Sequence, residues 1–209
     1  GKYICFLDSD DEFCNNHLDN FYKHIQEKNE INALLFSGLY RKNKDEIRKS
    51  IAPKYNEAKN KFGYLLYYTF NPTRVCVKKE ILDDLKFDTT IPGLEDLDLW
   101  LRIAVKYPII QLEEFTNIYL EHEESYTSGD ANRFVKELKN FKTIFAKNEI
   151  KNLLPRNKKN RLLSMCHFHL ARNFDNENDI LNMYKSIINS FFLYPKGYNG
   201  KTNKILAVL

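Results

Sequence analysis

Apolar positions along the chain change period several times, and each change marks an element. Residues 1–7, GKYICFL, are apolar almost without a break and predict a short buried strand. From Asn15 to Glu27, Leu18, Phe21, Tyr22 and Ile25 recur at i, i+3, i+4 and i+7, the stripe of an amphipathic helix. INALLFSGLYRKNKDE predicts a second apolar strand emptying into a charged loop. TRVCVKKEILDDL predicts a strand from Arg74 to Val77 running into a short helix. EDLDLWLRIAVKY puts Leu97, Trp100, Leu101, Ala104 and Val105 on one helical face, and Pro108 stops it. IIQLEE and NIYLEHEE predict two further short strands, while KFGYLLYYTFNP has no clear period and leaves helix and strand both open.

After SYTSGDAN the pattern is helical throughout. Asp130 can cap a helix carrying Phe134, Leu138, Phe141 and Phe145, with basic residues on its outer face. Pro155 interrupts, and two more helices are predicted at about Asn157–Asn173 and Glu177–Phe192. The apolar ending ILAVL points to a chain that continues.

Composition fits this alternation. The 209 residues are 43% hydrophobic and 29% charged, a globular composition, and no apolar run reaches the ~18 residues of a membrane span. No basic-then-apolar leader is present at the start. Cys5, Cys14, Cys76 and Cys166 lie far apart without metal-ligand or redox spacing, so they read as reduced cytoplasmic thiols, Cys5 and Cys76 as core. The net charge of +4 is divided unevenly: residues 129–209 carry fifteen Lys and Arg against six Asp and Glu, whereas residues 1–128 are net acidic.

The chemistry starts at FLDSDDEF, where the first strand runs into Asp8, Asp10 and Asp11. If the extended backbone continues, Asp8 and Asp10 face one side and Asp11 the other. Two carboxylates at the C-terminal edge of a sheet call for a positive partner, and a divalent cation with a phosphate supplies it. A calcium loop would need Gly at its sixth position, where Phe13 stands. A haloacid-dehalogenase-like phosphatase would want Thr or Val at Glu12. His17 and His24, seven apart on the first helix, are not read as metal ligands.

GKYICFLDSDD, then GLEDLDLWLRIA, then IYLEHEESYTS, in that order and spacing, resembles the second half of a family 2 inverting glycosyltransferase with the GT-A fold. The similarity spans roughly residues 1–128. It implies an α/β fold, a partial GT-A (Rossmann-like) mixed sheet with flanking helices, followed by an α-helical extension over 129–209. It also implies Mn²⁺ or Mg²⁺ held by the Asp-x-Asp motif, with Asp10 as ligand, Asp8 on the ribose and sugar side, and Asp11 in support. Asp96 falls on the catalytic base, beside Glu95. At the first turn of a helix, both acids are favoured as anions. His122 falls where the family often completes the metal site, although the Arg of that pattern is here Leu120. Asp98 and Arg102, four apart, read as a helix-surface ion pair and Trp100 as core.

The implied activity is transfer of a sugar from a nucleotide-sugar donor, UDP by default, to a hydroxyl of a glycan or lipid-linked acceptor, in polysaccharide synthesis. The resemblance begins at the Asp-x-Asp strand, so the sequence reads as the C-terminal portion of a longer enzyme. An isolated fragment is then expected to be inactive, with a first-strand edge open to homodimerisation. The basic tail reads chiefly as the solvated face of packed helices. Its alternative is peripheral contact with an anionic membrane, at the inner face in a cytoplasmic protein. Dispersed basic residues and an acidic front argue against nucleic acid. The competing class is a phosphatase-like or non-catalytic metal-binding domain.

Overall fold

The computed structural model describes residues 1–50, 53–55, 60–68, 70–121 and 131–196. The chain divides into two compact units: Gly1–Thr90 with Glu95–Ser128, and Ile91–Leu94 with Gly129–Leu209.

The first unit is built on a mixed sheet. Its strands are β1 (Tyr3–Cys5), β2 (Glu12–Phe13), β3 (Leu34–Lys42), β4 (Ile47–Ser50), β5 (Val75–Lys78) and β6 (Ile109–Leu120). The order is β1-β5-β3-β6-β2, with β4 also on β3. β3 is central: its first residues pair antiparallel with β5, its last with β4, and β6 runs parallel along its other edge. Burial on both faces explains its continuous apolar opening, Leu34, Leu35 and Phe36 being wholly buried. β1 lies at one end of the sheet, next to β5.

Helices cover both faces. α1 (His17–Glu27) sets Phe21 and Ile25 against Leu35, Cys76 and Leu112. Phe36, the neighbour of Leu35, points to the opposite face and stacks on Phe70 at 4.4 Å. There α4 (Glu95–Lys106) buries Leu97, Trp100 and Leu101, and Trp100 Nε1 donates to Phe70 O at 3.1 Å. Short helices α2 (Lys61–Leu65) and α3 (Lys79–Asp84) precede α4, and a 3₁₀ turn (Pro72–Arg74) leads into β5. The KFGYLLYYTFNP segment thus opens as a helix.

Three expectations change. The first strand spans only Tyr3–Cys5, half-buried at the sheet edge rather than buried, and Leu7 beyond it is exposed. IIQLEE and NIYLEHEE form one strand, β6, because a bulge opposite Gly38 lets the exposed Glu113 and Glu114 leave the ladder without ending it. The Asp98–Arg102 ion pair is made, with Nε to Oδ2 at 2.8 Å, but Asp98 is fully buried rather than on the helix surface.

The second unit holds α5 (Ala131–Ala146), α6 (Arg156–Asn176) and α7 (Ile180–Leu193). α6 and α7 approach closely at two serines: Ser164 Oγ donates to Ser190 O at 2.7 Å and Ser190 Oγ to Ser164 O at 2.9 Å. Asp179 caps α7 by accepting from the Asn182 amide. Asp130, the expected cap of α5, lies outside the described residues. α7 leaves Leu181, Tyr184, Ile188 and Phe192 exposed. Among the described residues, no helix is long and apolar enough to cross a membrane.

Candidate functional site

The first strand does not stay extended into the acids. β1 ends at Cys5, and the chain turns between Asp8 and Asp11, where the Asp11 amide donates to Asp8 O at 3.1 Å. The alternation expected of an extended strand therefore does not apply. The turn leaves Asp10 exposed, Asp8 half-buried and Asp11 buried.

Asp11 is tied inward. Its Oδ2 accepts from Thr73 Oγ1 at 2.7 Å and from Asn71 Nδ2 at 3.0 Å, and its Oδ1 accepts from the Leu120 amide at 3.4 Å. One carboxylate thereby joins the acidic turn, the turn before β5 and the end of β6. The Thr73 hydroxyl also accepts from the Asp8 amide at 3.2 Å. Burial raises both acids above the usual carboxylate range, against the opposing pull of Thr73.

Asp8 also feels the negative charges of Asp10 and Glu95. Glu95 and Asp96 open α4. Asp96 is pushed up to about 7, first by burial and then by Glu95 and Asp8, although the Leu97 amide donates to its Oδ1 at 2.6 Å. A helix N-terminus favours the anion, but here burial and like charge outweigh it. Glu95 Oε2 is buried with no hydrogen-bond partner. The fold thus brings Asp8 within electrostatic reach of Asp10 and Glu95, and Asp96 within reach of Glu95 and Asp8.

His122 lies outside the described residues, as does Ser125. Among the described residues, no three His, Cys, Asp or Glu side chains gather as a metal cage. His17 is buried, its Nδ1 within 2.8 Å of Thr116 Oγ1 and 3.1 Å of Thr116 O.

No sequence signal pointed to Thr73 or Asn71, because polar residues beside Pro72 read only as turn formers. Arg74 was read as the start of a strand. Its guanidinium is buried, donates from Nε to Ser37 O at 2.8 Å and lies over the Phe36 and Phe70 rings.

No family model matches the chain. Over 134 residues it is 34% identical to the uncharacterized glycosyltransferase MJ1057 of Methanocaldococcus jannaschii, a match covering 61% of this chain and 45% of that protein. Its fold is similar to that of S. aureus TarS, residues 1–349, in complex with UDP-GlcNAc. There the TM-score is 0.53 at 16% identity, over 91% of this chain and 56% of the other. The chain is therefore similar in part of its sequence to a protein named a glycosyltransferase and in fold to a protein seen with UDP-GlcNAc, and it spans about half the length of each.

Proposed function

We propose that this chain carries the diphosphate-binding and catalytic-base portion of a GT-A-type, inverting, metal-dependent glycosyltransferase. The observation that carries the reading is that Asp8, beside Asp10 in the turn after β1, lies within electrostatic reach of Glu95 and Asp96 at the start of α4. Similarity to a glycosyltransferase and to a UDP-GlcNAc complex supports it, with a UDP-sugar as donor.

In this reading Asp96 accepts the proton of an acceptor hydroxyl as that oxygen bonds to the anomeric carbon. The bond from that carbon to the diphosphate breaks, and configuration inverts. A base poised near neutrality suits this work. The residues present fit a hard divalent cation: the donors are carboxylate oxygens, Asp8 feels the like charges of Asp10 and Glu95, and a Glu95 oxygen lacks a hydrogen-bond partner. Asp10 and Asp8 would hold Mn²⁺ or Mg²⁺, with His122 as the third candidate, and the ion would supply charge stabilisation for the leaving diphosphate. Asp11 is assigned to positioning, since its carboxylate is already engaged.

A phosphatase would use Asp8 as nucleophile with a lysine beside it. Among the described residues, the charges that raise Asp8 are instead negative ones, Asp10 and Glu95. The acceptor is a hydroxyl of a glycan or a lipid-linked sugar. The basic second unit, with the exposed apolar stripe of α7, is where peripheral contact with an anionic lipid surface would be made.

Calorimetry of UDP binding with and without Mn²⁺ tests the reading. Binding that requires the ion and is lost in Asp10→Asn supports it. Metal-independent binding that is indifferent to Asp8 and Asp10 sinks it.

A further inference from the structure

One cluster of reactive side chains has no part in that chemistry. Cys5 and Cys76 are 71 residues apart in sequence but directly opposite in the β1–β5 ladder. The pair three residues back, Lys2 and Lys79, is hydrogen-bonded, Lys79 N donating to Lys2 O at 2.8 Å. Hydrogen-bonded and non-hydrogen-bonded pairs alternate along an antiparallel ladder only residue by residue, counted from that bond. Lys2–Lys79 is hydrogen-bonded, Tyr3–Lys78 is not, Ile4–Val77 is, and Cys5–Cys76 is not. Non-hydrogen-bonded partners stand closest, with Cα atoms about 4.5 Å apart, and this lies within the span a disulfide bridges. Both side chains point to the α1 face and line a cavity of about 400 Å³ with Leu18, Phe21 and Tyr22. Leu18 and Tyr22 are exposed, so the cavity opens to solvent.

His17 completes the cluster. The Thr116 hydroxyl donates to Ser37 Oγ at 2.8 Å, so toward His17 it serves as acceptor, and Nδ1 carries the imidazole proton. Nε2 is then a lone-pair acceptor, buried and without a hydrogen-bond partner. The Cys5 thiol is held below its ordinary range chiefly by the hydrogen bond from Cys76. Cys76 is pushed the other way, which fits its role as the donor.

We propose that Cys5 and Cys76 are a redox-active dithiol that closes to a cross-strand disulfide when a low-molecular-weight disulfide enters the cleft beside α1. The Cys5 thiolate attacks one sulfur of the oxidant, forming a mixed disulfide and expelling one thiolate. The Cys76 sulfur then attacks Cys5 Sγ, and the second thiol of the oxidant leaves with the Cys76 proton. Two protein thiols are oxidised to one disulfide, and the oxidant is reduced to two thiols. The bridge would fasten β1, three residues before Asp8, to β5, three residues after Thr73. The inference does not rest on the transferase reading.

The test is oxidation of the native chain with oxidised glutathione near neutral pH, followed by alkylation and unreduced tryptic mass spectrometry. Trypsin places Cys5 in the peptide Tyr3–Lys23 with Cys14, and Cys76 in Val75–Lys78. Expected is a Tyr3–Lys23 peptide linked to Val75–Lys78, within one chain, together with the loss of two free thiols. A Cys14→Ser variant should give the same link, and Cys76→Ser should stop at a stable glutathione adduct on Cys5. Full alkylation of both cysteines, a lasting adduct on Cys5 with Cys76 intact, or links only between chains would overturn the proposal.

Discussion

The Thr73 hydroxyl lies 2.7 Å from Asp11 Oδ2, joining residues 62 apart in sequence. The same oxygen accepts the Asp8 amide at 3.2 Å, so a single side chain sets the position of the acidic turn. Thr73 is itself fully buried. Replacing it with Val keeps the shape but leaves Asp11 with one donor fewer in a buried setting. Thr73→Val should lower stability by about 1–3 kcal/mol, and Thr73→Ser by much less. Thermal unfolding of the two variants checks this, and equal losses would show that the hydroxyl is not what matters.

How much of this was legible in the sequence depended on how local the cause was. The stripe of Leu97, Trp100 and Leu101 predicted α4 because helical period is written in neighbouring residues. The single strand β6 was misread as two, since the bulge that releases Glu113 and Glu114 depends on Gly38, 75 residues earlier. Asp8, Asp10, Glu95 and Asp96 were nameable as candidates, but that Asp96 would be raised rather than lowered came from burial, which no spacing reveals. Cys5 and Cys76 were read as unrelated core thiols for the same reason: strand register, not spacing, sets them face to face.

Asp96 gives a pH dependence with a definite sign. Its folded value of about 7 lies above the ordinary 3.8, so between these values the folded chain holds a proton that the unfolded chain has lost. Stability therefore falls as pH rises from about 4 to about 7 and is flat above, the ceiling of the effect being roughly 4 kcal/mol, less where water reaches the carboxyl. Asp96→Asn removes that dependence. The variant should gain melting temperature relative to the native chain as pH rises through this window. In the complete enzyme the same change should lower kcat by about 10²–10⁴-fold with donor affinity little changed. A melting difference that does not vary with pH would refute the assignment.

A cation among these acids should reverse much of their mutual repulsion. Saturating Mn²⁺ at about 100 times its Kd adds about 2.7 kcal/mol, and for a chain of this size that is a melting shift of roughly 5–10 °C. The shift should disappear with chelator and be lost in Asp10→Asn. It should grow from pH 6 to pH 8 as Asp96, pushed up to about 7, gives up its proton, because the added negative charge beside Asp8 draws the cation more strongly. Scanning calorimetry at the two pH values measures both effects. An unchanged melting temperature in Mn²⁺ would remove the metal from the site.

The bulge that lets β6 reach the acidic turn rests on Gly38. A Cβ there would lie 2.7–2.9 Å from three atoms of the Phe115 ring, too close for either to stay in place. The glycine does not have positive φ, so the conflict is with the ring and not with the backbone. Gly38→Ala should cost about 1–3 kcal/mol through overpacking. Phe115→Ala alone should lose its own contacts, including the packing of Tyr40 at 5.5 Å between ring centroids. The double variant should be more stable than the two losses added together, with a coupling of about 1–2 kcal/mol. β6 continues from Phe115 to Leu120, whose amide faces Asp11. A displaced ring should therefore also weaken Mn²⁺ binding in Gly38→Ala and restore it in the double variant. Urea unfolding and metal titration of the three proteins decide the matter: strict additivity would mean that the ring moves aside freely and the glycine is not required.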